Sequence, residues 1–389
     1  MKKAILDVDT GIDDALGIML AVRSGELDVL GISTVNGNVS LTTATLNTCK
    51  ILDFIKAPAS ISVYPGASRP LLRDRLFEHR VHGEDGLGGA LLDMQPADRT
   101  DPDTFGPDFI VEQAKRYPGE ITLIATGPLT NVALALAKHP GLVDDIKELV
   151  VMGGAVRTHG NITPTAEYNI HVDPEAARLV FQAGFPSLTL VGLDVTRKAL
   201  LTSAHIDALG SSEIAGYVRQ STSDYMERYY ERNGVRACAM HDPLAVGAAI
   251  WPELVRTERL YVDVETRSEL CDGQTVCDFQ NRLLHQPNLN VCLDADSDAF
   301  LNRLSPCCAV DPTNNRRLHS CYAAQVRRHH IPLPDLYVAP DRPYDHYAAV
   351  YYPGHRLQPR QLRFRGRGSG AKPWIQPACD LFQSRPAEH

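Results

Sequence analysis

Over residues 1 to 304 the chain alternates short β-rich apolar runs with stretches of helical period, and that alternation restricts it to parallel βαβ units. The first run, Ala4-Ile5-Leu6, meets an aspartate at Asp7. From Asp13 to Val22 apolar side chains then recur at helical spacing, with Asp13 and Asp14 in the first turn, where the helix dipole favours carboxylates. Asp7 to Gly11 is therefore a strand-to-helix loop. The same pattern predicts strands at Val29 to Val35, Ile121 to Ala125, Leu149 to Met152 and Leu188 to Val191, and helices at Leu41 to Ile55, Leu129 to Ala137 and Pro174 to Ala183. The expected class is α/β with a mainly parallel sheet.

Composition divides the 389 residues. The net charge of −8 argues against nucleic acid as the partner. From Ser305 to His389, however, there are 12 Lys+Arg against 6 Asp+Glu, together with 11 of the 26 prolines and 6 of the 14 histidines. With no internal repeat or linker before it, residues 1–304 read as one domain. Residues 305–389 read as an atypical basic Pro/Arg/His-rich extension, expected to be disordered or loosely packed. Asp7 interrupts the first apolar run after three residues, so no secretory segment or membrane span starts there, and a cytoplasmic location is expected. Nine scattered cysteines, an odd number without metal-ligand spacing, read as reduced thiols.

Ligands of open α/β sheets bind beyond the carboxyl ends of the strands, and the residues there are polar: Asp7, Asp9, Asp13 and Asp14, then Asn36-Gly37-Asn38, Thr126-Gly127-Pro128 and Gly153-Gly154. Four aspartates within eight residues repel one another. Holding them in one loop requires a cation or shifted pKa values. Carboxylates with no neighbouring cysteine or histidine suit a hard ion, Ca²⁺ or Mg²⁺, and loop carboxylates with backbone carbonyls suit Ca²⁺ better.

Two families compete for Asp7-Val8-Asp9-Thr10-Gly11. An apolar strand ending in Asp-x-Asp-x-Thr resembles the haloacid-dehalogenase phosphotransferases, in which the first aspartate is a nucleophile beside Mg²⁺. The longer string through Asp13-Asp14-Ala15 resembles the inosine-uridine preferring nucleoside hydrolases. So do Thr34-Val35-Asn36-Gly37-Asn38, Val81-His82-Gly83-Glu84-Asp85-Gly86-Leu87, Ala125-Thr126-Gly127-Pro128-Leu129-Thr130-Asn131 and Val151-Met152-Gly153-Gly154, in family order. Asn161, Ala166-Glu167-Tyr168-Asn169, Asp173-Pro174-Glu175-Ala176-Ala177, Gly192-Leu193-Asp194-Val195-Thr196 and His241-Asp242-Pro243 complete the set, of which the phosphotransferase reading explains none.

The second resemblance implies a Rossmann-like sheet with helices on both faces, a homodimer or homotetramer, and Ca²⁺-dependent hydrolysis of ribonucleosides to free base and ribose. It implies that Asp9, Asp14, Asp242 and the Thr126 carbonyl hold Ca²⁺, that Asp9 is the base for the attacking water, and that Asp13 accepts from the ribose 2′ hydroxyl. Asn38, Asn161, Glu167 and Asn169 correspond to sugar-binding residues, and Met152 to one packed near the ribose. His241 is the implied general acid for the leaving base, with His82 nearby. Tyr225 and Tyr229, one helical turn apart, can stack on the base or simply pack their helix. These aromatic and histidine positions resemble broad inosine and uridine users, with a pyrimidine-preferring hydrolase as the alternative.

Overall fold

The computed structural model describes residues 1–309, apart from the side chains of 232 and 233, so most of the expected 305–389 extension lies outside the described residues. Eleven strands form, in chain order, β1 (Lys2–Val8), β2 (Leu27–Thr34), β3 (Val63–Pro65), β4 (Ile121–Ala125), β5 (Ile146–Met152), β6 (Leu188–Val191), β7 (Leu200–Thr202), β8 (Ala237–Ala239), β9 (Val255–Val264), β10 (Thr275–Asp278) and β11 (Leu289–Ala295). Nine make one sheet in the order β10-β9-β11-β6-β5-β4-β1-β2-β3, and β7 pairs with β8 alone. From β11 to β3 every pairing is parallel. Antiparallel pairing begins only where β9 meets β11 and β10 meets β9.

Burial on both faces explains the unbroken apolar runs that mark β1 and β4 in the sequence. Alternate residues serve opposite layers: Leu6, Ile124 and Val150 pack on one side of the sheet with the helices Ile12–Arg23 and His241–Ile250, whereas Ile5, Leu123 and Leu149 pack on the other with Gly106–Arg116 and Thr130–Lys138. The result is a helix–sheet–helix sandwich. Its helices start where the sequence supplies an acceptor: Ser40 accepts from Thr43 N ahead of Leu41–Phe54, and Asp173 from Ala176 N ahead of Pro174–Phe181. The last described helix, Ser297–Ala309, runs through the compositional break at residue 305 and buries Pro306, Cys307 and Cys308. The folded body therefore continues past the expected boundary at 304. Among the described residues no helix is long and apolar enough to cross a membrane.

The strand order places the site. Successive connections leave β1 toward β2 on one side and return to β4 on the other, so the sheet has its topological switch between β1 and β4. The loops following these two strands diverge there and leave a crevice at their carboxyl ends. Asp9 follows β1 and Thr126 follows β4.

Candidate active site

The floor of the crevice is acidic. Asp13 and Asp14 lie in the first turn of Ile12–Arg23, and Asp242 in the first turn of His241–Ile250, which β8 feeds into the site from the neighbouring small sheet. One carboxylate oxygen from each of these three comes within 4.8 Å of the others, and all three residues are buried. Asp9 is fully buried beside them. Its Oδ2 accepts from Asn38 N at 2.6 Å. Asp14 is held by Gly11 N at 2.9 Å, Asn38 Nδ2 at 3.2 Å and Thr126 Oγ1 at 2.8 Å. By contrast, Asp9 Oδ1 and Asp13 Oδ1 are buried with no hydrogen-bond partner among the described residues.

Burial pushes all four carboxyls above the ordinary range, and repulsion from neighbouring carboxylates adds to it for Asp9, Asp13 and Asp242, with Asp13 reaching about 7. A cation would reverse that, since it supplies the opposite charge that burial removes and a partner for the orphaned oxygens. The all-oxygen donor set suits a hard divalent ion. Asp7, the nucleophile of the phosphotransferase reading, faces elsewhere: Asn131 Nδ2 donates to its Oδ1 at 2.7 Å, and it does not line the cavity.

Above this floor opens a cavity of about 920 Å³ lined by Asp13, Asn38, His82, Thr126, Met152, Asn161, Glu167, Asn169, Tyr225, Tyr229, His241 and Asp242. Twelve of the fourteen residues singled out in the sequence thus share one surface, and Asp9 and Asp14 sit beneath it. Glu167 caps the helix Tyr168–Val172, accepting from Asn169 N and Ile170 N, and also accepts from Gly154 N at 3.0 Å. Asn169 Nδ2 donates to Thr126 O at 2.6 Å and to Met152 O at 3.2 Å, which ties the ends of β4 and β5 together. Asn161 accepts from Tyr168 N at 2.9 Å.

The opposite wall carries the rings. His82 Nδ1 accepts from Ile12 N at 3.0 Å, so its proton resides on Nε2. Burial, with His241 and His79 near, pushes its pKa down to about 3. His241 Nδ1 hydrogen-bonds Thr196 Oγ1 at 2.8 Å, and burial together with the Arg197 charge pushes it down to about 4. Both rings are neutral at neutral pH. Tyr225 and Tyr229 meet edge to face, centroids 6.2 Å apart, and both reach the cavity. Packing and lining are thus compatible for this pair.

Sequence reasoning missed several lining residues, among them Glu78, Tyr168, Arg197 and Arg228. Tyr168 lies inside a motif already singled out, and its hydroxyl is 3.0 Å from both Gly37 O and Leu76 O, between the Asn38 loop and the segment leading to His82. Arg197 immediately follows the Gly192-Thr196 motif, so position next to a recognised segment was the available signal.

A buried carboxylate nest thus lies under an amide-lined cavity at the switch point of a parallel sheet. The inosine-uridine preferring nucleoside hydrolase family matches residues 4–302, and the chain belongs to that family. The protein is accordingly an enzyme of the ribonucleoside N-glycosidase class. A pyrimidine-specific ribonucleoside hydrolase, RihB, of Escherichia coli strain SE11 is 36% identical over 311 residues, covering 79% of this chain and 96% of its own. Among solved structures, the plant nucleoside hydrolase PpNRh1 is similar with a TM-score of 0.74 at 33% identity, covering 79% of this chain and 99% of its own. A purine-preferring ribonucleoside hydrolase from Gardnerella vaginalis gives 0.72 at 33%, covering 79% and 98%.

Proposed function

We propose that the protein is a Ca²⁺-dependent hydrolase of ribonucleosides that accepts both inosine and uridine and releases free base and ribose. The observation that carries this reading is the set of four buried aspartates, of which Asp9 and Asp13 each keep an unpartnered oxygen, beneath an amide-lined cavity. Asp9, Asp14, Asp242 and the Thr126 carbonyl are the proposed Ca²⁺ ligands. When bound, the ion neutralises the nest and orients the ribose hydroxyls and water by Lewis acidity. Asp13 also belongs to the compact triad of carboxylates, which supports its place beside the 2′ hydroxyl.

N-glycosidic cleavage passes through a ribosyl cation resembling an oxocarbenium ion. The residues divide that task. Asp9 takes the proton of the attacking water. Asp13 accepts from the 2′ hydroxyl, while Asn38, Asn161, Glu167 and Asn169 fix the remaining sugar hydroxyls and Met152 packs near the ring. An amide-rich site of this kind rejects deoxyribose by leaving its own polar groups unpaired. On the other wall, in the tautomer in which Thr196 donates to Nδ1, the neutral His241 ring presents Nε2–H as a hydrogen-bond donor to the departing base, His82 stands beside it, and Tyr225 and Tyr229 offer their rings.

The similarity to RihB favours one second reading, a pyrimidine-preferring hydrolase. A homodimer or homotetramer in the cytoplasm completes the proposal, supported by the family resemblance. The metal assignment is tested by calorimetric Ca²⁺ titration of chelator-treated protein. One site per chain is expected, lost in Asp14→Asn; binding unchanged in that variant, or no binding in the parent, would overturn it.

A further inference from the structure

The wall of the cavity between the ends of β5 and the helix Tyr168–Val172 is a loop without regular structure, and it carries Asn161. Such a loop can present Asn161 to a ligand reproducibly only if its backbone is fixed from outside. Arg197, half-buried and lining the same cavity, does this with a fork: Nη1 donates to Thr158 Oγ1 at 3.0 Å and to His159 O at 2.8 Å, and Nη2 donates to Gly160 O at 2.8 Å.

The far side of the loop is equally constrained. A Cβ on Gly160 would lie 2.1 Å from Ala166 O and 2.2 Å from Thr163 O, so the backbone is wedged between the guanidinium and the 163–166 turn. Three residues upstream of Arg197, Asp194 accepts from Val156 N at 3.0 Å and from Arg157 N at 2.8 Å. Between them, Thr196 holds His241. One short stretch, Asp194 to Arg197, thus fixes the Asn161 loop and the opposing ring wall together.

We propose that Arg197 is a positioning residue: its guanidinium fork fixes the 158–160 backbone, and through it places Asn161 so that the ribose of a ribonucleoside is gripped whatever base it carries. This rests on the ribonucleoside reading of the cavity. Asn161 Oδ1 is already taken by Tyr168 N, which leaves its amide N–H groups as the donors for a sugar hydroxyl. A planar fork matched to three acceptors is also why lysine cannot substitute fully, because an ammonium is a compact point charge on a flexible stem.

The test uses the full-length, Ca²⁺-loaded protein and compares Arg197→Ala, Arg197→Lys and Gly160→Ala with the parent. Losing the fork is expected to raise KM for inosine and for uridine by the same factor, about tenfold or more, with kcat changing less than about threefold. Arg197→Lys should fall between, and Gly160→Ala should reproduce the alanine variant by displacing the loop from its other side. Independently of activity, trypsin should cut after Arg157 faster in Arg197→Ala, and free ribose should slow that cut in the parent. Unchanged cleavage after Arg157 or unchanged KM would overturn the proposal. So would full rescue by lysine, which reduces Arg197 to a charge, or losses differing tenfold between the two nucleosides, which would place it at the base. A parent that releases ribose from no nucleoside would sink the ribonucleoside reading alone, because the tryptic comparison still decides whether Arg197 anchors the loop.

Discussion

Asn131 is the residue on which the rim of the sheet converges, and its replacement by alanine gives the account a quantitative test. It is fully buried in the first turn of Thr130–Lys138. Its Nδ2 donates to Asp7 Oδ1 at 2.7 Å and lies 3.0 Å from Ser33 Oγ and 2.9 Å from Thr34 O, while its Oδ1 accepts from Ala67 N at 2.8 Å. One amide thereby joins the ends of β1 and β2 and the loop after β3. Thr34 O keeps a second donor, Gly66 N at 2.9 Å, so alanine strands chiefly Ala67 N and Asp7 Oδ1.

A stranded neutral donor costs about 1–3 kcal/mol and a lost bond to a carboxylate about 1.5–3 kcal/mol, so Asn131→Ala should lower stability by roughly 3–5 kcal/mol. The assay is urea unfolding with the slope held common and the midpoint compared. Asn131→Asp is the more pointed variant. It keeps the acceptor for Ala67 N but sets a second acceptor against Asp7, whose carboxyl burial already pushes up to about 7, so it should be destabilised most above neutral pH and partly recover on acidification. An alanine variant within about 1 kcal/mol of the parent would refute the reasoning, because a buried amide with these partners cannot be removed that cheaply if the bonds exist.

Three further outcomes follow from the site. In chelator-treated protein, Asp13 has a folded pKa near 7 against an ordinary 3.8, so the stability tied to its proton is lost as pH rises through about 7; melting temperature should rise between pH 8 and 6.5, and added Ca²⁺ should flatten that slope. Below pH 6.5 buried His82 and His241, at about 3 and about 4, refuse protons that the unfolded chain accepts and so oppose the gain from the buried carboxyls; His82→Gln should therefore steepen the rise in melting temperature toward pH 5, and an unchanged slope would contradict this. His241→Ala should slow inosine hydrolysis by about a hundredfold and barely affect an activated nitrophenyl riboside, whose leaving group needs no proton, and equal losses on both would remove His241 from that role. Asp9→Asn should abolish most nucleoside turnover while Asp7→Asn retains it, a contrast read from initial rates; the reverse order would restore the nucleophile reading of Asp7.

Much of this was legible in the sequence because strand, loop and helix are local. Asp9, Asp13 and Asp14 lie within one loop and one turn, and the capping and dipole preferences that place them act over a few residues. The five strands expected from apolar runs all form, with small shifts at their starts. The antiparallel end of the sheet escaped because β9 exposes Arg256 to Arg259, the part that β10 does not cover, and so lacks the apolar signature there.

Non-local facts were also hidden. Strand order, which puts Asp9 beside Thr126, cannot be read from periodicity, and neither can the approach of Asp242 through β8. The low pKa values of His82 and His241 arise from burial, with the neighbouring His241 and His79 acting on His82 and Arg197 on His241, surroundings that only the folded chain supplies. Likewise the break in composition at residue 305 marks no break in structure, because the helix Ser297–Ala309 crosses it with buried side chains.

The central claim, metal-dependent hydrolysis of the N-glycosidic bond, is met most directly by measuring free ribose from inosine, uridine and cytidine in phosphate-free buffer, with and without a calcium chelator. The account predicts ribose release from inosine and uridine that stops with the chelator and returns with added Ca²⁺. Release that ignores the chelator, or none from any of the three nucleosides, would contradict it.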